Sequence, residues 1–277
     1  FMGALFLALL ELTFVMVSLL LFHSIKKTVG SSPFYLSLGM FFVLGQIVSS
    51  VNLMVDPGFS GLQVNLGHTT LLAPYLAALL IVYVVDGTTE AQRLILGFVA
   101  ILFGYYYLAS VIATQCAWST TYVNTPATNI PYLQEVLQQS KRTVFATFVA
   151  HSIDLLILPI LFQFFHNRKS RLFFSVLGTL VMTQVVDSFV YQLIAFPEID
   201  EWWLQLRTTY LARAAGLIWL SGLTTIYLHM CHIESSGERR PMDIVLDFFG
   251  GYGKTRELQR SLREWEGRYR IVIQSSS

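Results

Sequence analysis

The sequence has little charge and little cysteine. Lys, Arg, Asp and Glu make up only 13% of its 277 residues, whereas hydrophobic residues make up 54%, and the mean hydropathy is +0.58. Soluble domains carry about 25% charged residues, so the composition predicts a membrane protein. No basic patch with interleaved aromatic residues is present, which argues against nucleic-acid binding. Cys116 and Cys231 end different apolar stretches, on opposite sides of the predicted membrane, so we expect no disulfide between them.

The sequence also lacks the spacings that mark most catalytic and metal sites. No nucleophile–base pair is evident, and no zinc-type Cys or His spacing occurs, so we predict no catalysis, no metal and no cofactor. Gly253–Thr255 is similar to the end of a phosphate-binding loop, but Phe248 stands where that motif requires glycine. The last apolar stretch contains no lysine that could form a retinal Schiff base.

Long apolar stretches dominate the chain instead. Each approaches the ~20 residues that a helix needs to cross a bilayer, and together they predict an all-α, polytopic membrane bundle. The seven predicted spans are Ala4–Phe22, Pro33–Val55, Thr69–Val85, Ala91–Ala113, Thr143–Phe165, Leu172–Phe196 and Thr208–Cys231.

Basic residues in the connections predict the orientation of these spans. They follow the odd-numbered spans, at Lys26, Lys27, Arg93, Arg168, Lys169, Arg171, Arg239 and Arg240. The connection after span two has no lysine or arginine, and Lys141 and Arg142 form the only basic pair on the opposite side. Because basic loops stay in the cytoplasm, we expect an outside N-terminus, a cytoplasmic C-terminus and a location in the plasma membrane.

Polar residues three positions apart recur in the last three spans, and this spacing places both on one helix face. Arg213 keeps its charge in any environment, so inside a membrane it needs carboxylates or water. Helical rise places the polar positions in the outer half of the bundle. The pattern predicts a ligand or ion site there, formed by Asn52, His151, Asp154, Gln184, Asp187, Tyr210 and Arg213. The alternative is a polar zipper that only holds the helices together.

The chain becomes strongly charged after the last span. Leu258, Leu262, Trp265 and Tyr269 follow one another at steps of four, three and four residues, which is the spacing of a coiled-coil seam. This spacing predicts a parallel homodimer through a signalling helix. The apolar run Ile271–Ile273 leads us to expect a further domain after Ser277.

Between Gln46 and Met230 the sequence resembles the vitamin-uptake-transporter family, whose best-described members transport queuosine precursors. Asp154 and Asp187 match that family directly, whereas His151, Gln184 and Arg213 stand where it tends to carry a glutamine, an asparagine and a lysine. The stretches that carry the resemblance are Ser49–Asn52, Gly67–Thr70, Ala91–Phe98, His151–Asp154, Gln184–Ser188 and Tyr210–Arg213.

The resemblance is closer to the sensor branch of that family, which adds one helix before the six-span core and a signalling helix after it. Arg240–Ile244 and Glu264–Val272 resemble the linker and the entry to a PAS domain. The domains implied are the extra helix and its loop (1–32), the core (33–231), a linker (232–253), and the signalling helix with the start of a PAS-like domain (254–277).

The resemblance therefore implies the input domain of a sensor histidine kinase or diguanylate cyclase. Its ligand would be a purine-like or other heterocycle, bound without a cofactor. Two alternatives stay open. The same site could serve a secondary transporter, although the family's acidic and basic residues are missing near Leu80, Ile81 and Val84. The site could also sense only protons through His151.

Overall fold

The computed structural model describes residues 2–50, 54–55, 64–65, 71, 73–117, 141–168, 171–195 and 202–231. This part of the chain is almost entirely helical. Its helices are α1 (Met2–Ser24), α2 (Lys26–Val29), α3 (Ser32–Ser50), α4 (Ala73–Ile81), α5 (Thr88–Ala117), α6 (Lys141–Asn167), α7 (Leu172–Ala195) and α8 (Trp202–Met230). A π-helical turn, Val82–Asp86, extends α4.

Several helices are apolar enough to lie in a membrane. Among the described residues, four stretches have both the length and the composition to cross a bilayer, and Ser32–Val48 and Ala73–Asp86 are shorter apolar helices. The four stretches are Phe6–Ser24, Thr88–Ile112, Phe145–Asn167 and Leu172–Ile194. They coincide with predicted spans one, four, five and six, so the helical membrane class is confirmed, whereas the count of seven spans stays a prediction.

The distribution of polar and apolar side chains is that of a membrane bundle. Large apolar side chains such as Leu36, Leu96 and Phe103 point outward and are strongly exposed. Polar side chains such as Gln163 and Thr183 are buried. Because lipid tails are as apolar as leucine, a helix in a membrane can turn its polar groups inward without losing favourable contacts outside.

Helix α4 occupies the middle of the bundle. All nine of its residues are buried, as expected for a helix that is apolar on every side. It contacts α1, α6 and α8. The π-helical turn that follows ends at Gly87, whose φ of 95° suits glycine because it lacks a Cβ atom.

Helices α6 and α7 form a hairpin with the most extensive contact between any two described elements. Gly178 of α7 allows the ring of Phe165 in α6 to pack closely, since an added Cβ would lie 3.2 Å from the ring. This close packing holds the polar residues of the two helices beside one another.

The end of the second predicted span needs correction. Helix α3 ends at Ser50 rather than Val55, and Met54–Val55 forms a short strand, β1, that pairs antiparallel with β2, Val64–Asn65. The sequence between the strands contains Pro57, Gly58 and Gly61, which are typical turn residues. The predicted linker (232–253) and signalling helix (254–277) lie outside the described residues.

Candidate functional site

A buried histidine lies between two buried carboxylates in the bundle. His151 of α6 is 2% exposed, and Asp154, one helical turn further on, is 1% exposed. The Nδ1 atom of His151 lies 3.6 Å from Asp154 Oδ2 and 3.4 Å from Asp187 Oδ1, the latter on α7. Two helices therefore direct both carboxylates to the same ring nitrogen.

Helix α4 adds a hydroxyl group to the same place. The Tyr75 hydroxyl donates a hydrogen bond to Asp154 Oδ2 at 3.3 Å, and it also lies 3.3 Å from His151 Nδ1. Tyr75 sits in the fully buried α4. Three helices thus bring one imidazole, two carboxylates and one phenol together.

Side-chain amides orient the imidazole and one carboxylate. Gln184 Nε2 donates to Asp187 Oδ2 at 2.9 Å within α7. On the other side of the ring, the Gln46 amide of α3 lies 3.4 Å from His151 Nε2, and the Tyr106 hydroxyl donates to Gln46 Oε1 at 3.4 Å. The name His151 cluster is used below for Gln46, Tyr75, His151, Asp154, Gln184 and Asp187.

Aromatic rings enclose one side of the cluster. The His151 ring meets Phe42 and Tyr75 edge to face, with ring centres 5.8 and 5.5 Å apart. Phe98 packs against both Phe42 and Tyr75. Such apolar walls exclude water and strengthen every electrostatic interaction inside them.

One carboxylate oxygen of the cluster lacks a partner among the described residues. Asp154 Oδ1 is buried and has no hydrogen-bond partner among them. The other oxygen of Asp154 accepts from Tyr75 and lies 3.6 Å from His151 Nδ1. A buried carboxylate oxygen without a partner is costly, so Asp154 Oδ1 is a candidate acceptor for a donor or a ligand for a cation.

A family model described as vitamin uptake-like sensor matches residues 15–228. The chain belongs to the vitamin uptake-like sensor family. This membership confirms the resemblance to the sensor branch, and the matched region spans all of the helices from α2 to α7. No curated protein and no solved structure matches the chain.

The structure of this vitamin uptake-like sensor domain brings four of the predicted site residues together: His151, Asp154, Gln184 and Asp187. Tyr210 and Arg213 belong to the backbone of α8, but their side chains lie outside the described residues, as does Asn52. The contribution of these three residues to the site stays a prediction.

Three residues of the sensor domain were missed by the sequence reasoning, namely Gln46, Tyr75 and Tyr106. Each is an uncharged polar residue in an apolar span and has no charged neighbour at helical spacing. Phe42 and Gln46 lie four residues apart on one face of α3 and both contact His151, but no spacing of polar residues in the sequence indicates this.

The sequence reasoning also expected no metal site in this domain, because no single helix carries zinc-type spacing. His151, Asp154 and Asp187 nevertheless each offer one donor atom, and these atoms lie within 4.8 Å of one another. The grouping depends on how two helices pack, which spacing within one helix does not report. Chemically, the cluster can accept N–H donors, hold a cation or exchange a proton.

A second polar cluster attaches α1 to the rest of the sensor domain. His23 Nδ1 lies 2.6 Å from the Tyr227 hydroxyl of α8, and His23 Nε2 lies 3.1 Å from Asp86 Oδ2, in the π-helical turn. The Lys26 ammonium group donates to the other oxygen of Asp86. The name His23 cluster is used below for His23, Lys26, Asp86 and Tyr227.

Proposed function

We propose that the chain is the membrane input domain of a signalling protein and binds a small polar ligand at the His151 cluster. Membership of the vitamin uptake-like sensor family supports a sensor role. The observation that carries the proposal is the buried Asp154 Oδ1, an acceptor without a donor among the described residues. Buried ionisable groups in membrane proteins mark functional sites by default.

The ligand that fits best is a flat, purine-like heterocycle that enters from outside. Its ring and exocyclic N–H groups would donate to Asp154 and Asp187, because carboxylates are strong acceptors for such donors. Arg213 would donate to a carbonyl group of the ligand or hold the carboxylates in place. Asn52, His151, Gln184 and Tyr210 would set the orientation of the ring.

Signalling would proceed through the last helix. Binding would shift α8, and the helix within residues 254–277 would transmit this shift to a second copy of the chain through the seam of Leu258, Leu262, Trp265 and Tyr269. A ligand shifts such an equilibrium only by its different affinities for the two states. The output domain would be a PAS domain followed by a histidine kinase or, alternatively, a diguanylate cyclase in the plasma membrane.

A transporter could use the same cluster by alternating access. Leu80 and Ile81, near which related transporters carry an acidic residue, are apolar and buried in α4 here. This absence favours the sensor. Uptake of radiolabelled guanine or adenine into vesicles that contain the full chain would support the transporter instead.

The sensor proposal predicts that Arg213→Ala abolishes the binding of a purine probe. Guanine, adenine and 7-deazaguanine would be titrated against the chain in nanodiscs by isothermal calorimetry. The matched control is Arg93→Ala, which removes an exposed arginine at the other end of the bundle and should leave binding unchanged. Undiminished purine binding by a folded Arg213→Ala variant would contradict the proposed ligand site.

A further inference from the structure

We propose that the His151 cluster is a binding site for a divalent transition-metal ion of the zinc type. The ligands are His151 Nδ1 and one oxygen each from Asp154 and Asp187, and the Tyr75 hydroxyl, which contacts His151 and Asp154, would supply the fourth. Imidazole and carboxylate are donors that zinc accepts in proteins, and four ligands are its usual number. The proposal rests on the geometry of this cluster and does not require the heterocycle.

Four of the six distances between these four atoms support this assignment, and the donor atoms of His151, Asp154 and Asp187 all lie within 4.8 Å of one another. His151 Nδ1 lies 3.4 Å from Asp187 Oδ1, 3.6 Å from Asp154 Oδ2 and 3.3 Å from the Tyr75 hydroxyl oxygen. That hydroxyl oxygen lies 3.3 Å from Asp154 Oδ2. Metal–ligand bonds of about 2.0–2.2 Å in a tetrahedron place neighbouring ligand atoms about 3.3–3.6 Å apart.

The contacts between His151 and the two carboxylates are longer than the strongest ion pairs. A charged N–H group and a carboxylate form hydrogen bonds of about 2.7–2.9 Å, whereas the carboxylate oxygens lie 3.4 and 3.6 Å from His151 Nδ1. These groups therefore form only weak ion pairs with one another, and their spacing also fits ligands around a small cation.

Asp154 provides a second observation that is compatible with a cation. It is 1% exposed, and its Oδ1 has no partner among the described residues. A buried carboxylate oxygen without a partner is costly. In the metal-bound state, two ionised carboxylates and a neutral imidazole would match the charge of one divalent cation.

Neighbouring amides would orient the ligands. Histidine ligands in metal sites usually donate their second ring N–H to a polar partner, which directs the lone pair of the other nitrogen to the metal. The Gln46 amide faces His151 Nε2, and a 180° rotation of that amide presents its oxygen as the acceptor. Gln184 in turn holds the second oxygen of Asp187.

The experiment uses the full chain in nanodiscs, stripped of metal with a chelator. Zn²⁺ is titrated by calorimetry, and Co²⁺ is added separately as a spectroscopic probe. We expect one Zn²⁺ per chain and the intense visible bands of four-coordinate Co²⁺, since geometry is diagnostic of such sites. Weak, six-coordinate Co²⁺ bands would overturn the proposal. So would the absence of stoichiometric metal, which is expected if Arg213 or shared protons neutralise the two acids.

Variants locate the ion in the cluster. Asp154→Asn and His151→Gln should each weaken Zn²⁺ binding more than about 100-fold, beyond the usual effect of outer-shell changes. Tyr75→Phe should weaken it only about 10-fold, because water can take the fourth position. Glu11→Gln removes a carboxylate from α1 and should change nothing.

Unchanged Zn²⁺ affinity in folded Asp154→Asn protein would overturn the proposal, and the wild-type Co²⁺ spectrum tests it even if a variant fails to fold. The outcome also separates this proposal from the sensor proposal. If the chain binds Zn²⁺ but no purine, only the proposal of a heterocyclic ligand is contradicted. If it binds a purine but no Zn²⁺, only the proposal of a metal site is contradicted.

Discussion

The His23 cluster and the His151 cluster contain similar residue types but differ in their number of acids and in how those acids are paired. Each centres on a buried histidine that lies near a tyrosine hydroxyl and an aspartate. In the His23 cluster, Lys26 neutralises the single acid, Asp86. The His151 cluster has two acids, and one oxygen of Asp154 is buried without a partner among the described side chains.

This difference is the basis for proposing a structural role for one cluster and a binding role for the other. The His23 cluster, in which Lys26 neutralises Asp86, stabilises the contact between α1, the π-helical turn and α8. The unpartnered oxygen of Asp154 in the His151 cluster has an unfavourable energy that a bound donor or cation would relieve. Proteins tolerate such local costs mainly where binding requires them.

The largest expected effect is on the His23 cluster. Asp86→Asn leaves the Lys26 ammonium group without its counter-charge, so we expect the free energy of unfolding to fall by about 2 kcal/mol. Breaking a fully buried pair costs ~3–5 kcal/mol. The expected loss is smaller here because water reaches both groups. Thermal and SDS-induced unfolding in detergent would measure it.

The matched control for Asp86→Asn is Glu90→Gln, which makes the same chemical change in the more exposed pair with Arg93. It should lower the free energy of unfolding by less than about 1 kcal/mol. Equal effects of the two variants would show that the His23 cluster contributes no more than a surface ion pair.

The same chemical change should have the opposite sign in the His151 cluster. In protein stripped of metal and ligand, Asp154→Asn removes one of two neighbouring negative charges, so we expect the free energy of unfolding to rise by about 1 kcal/mol. The same unfolding assays apply. A loss of stability as large as that of Asp86→Asn would mean that Asp154 is a structural partner.

A further expected effect concerns a single hydrogen bond of the His23 cluster. Tyr227→Phe removes the hydroxyl that contacts His23 and should lower the free energy of unfolding by about 1 kcal/mol, the usual net value of such a bond. Tyr107→Phe, at an exposed position of α5, is the control and should leave stability unchanged. An equal response of both variants would contradict a role for the His23 contact.

Much of the helical architecture could be predicted from apolar run length, because a helix must satisfy its backbone groups internally in lipid. The stretch from Leu172 was predicted to end at Phe196, and α7 ends at Ala195. The end of α3 was wrong by five residues, because Val51–Val55 continues the apolar pattern while part of it pairs with β2. Hydropathy alone does not distinguish an apolar strand from an apolar helix end.

The site was predictable where its residues share one helix. His151 and Asp154, like Gln184 and Asp187, were found because spacing of three residues reports a common face. Tyr75 and Gln46 could not be found in this way, because each joins the cluster only through packing between helices. Sequence spacing carries no information about which faces of two helices meet.

The contact between α1 and Asp86 depends on the π-helical geometry of the turn Val82–Asp86 that follows α4. Asp86 is the last residue of a five-residue π-helical turn. In such a turn the backbone hydrogen bonds join residues five apart, rather than four apart as in an α-helix. Rewinding that segment by a single residue would rotate the carboxylate roughly 100° about the axis, away from His23. The contact between Asp86 and His23 of α1 would then be lost through rotation of this segment about its own axis, without any shift of a helix axis.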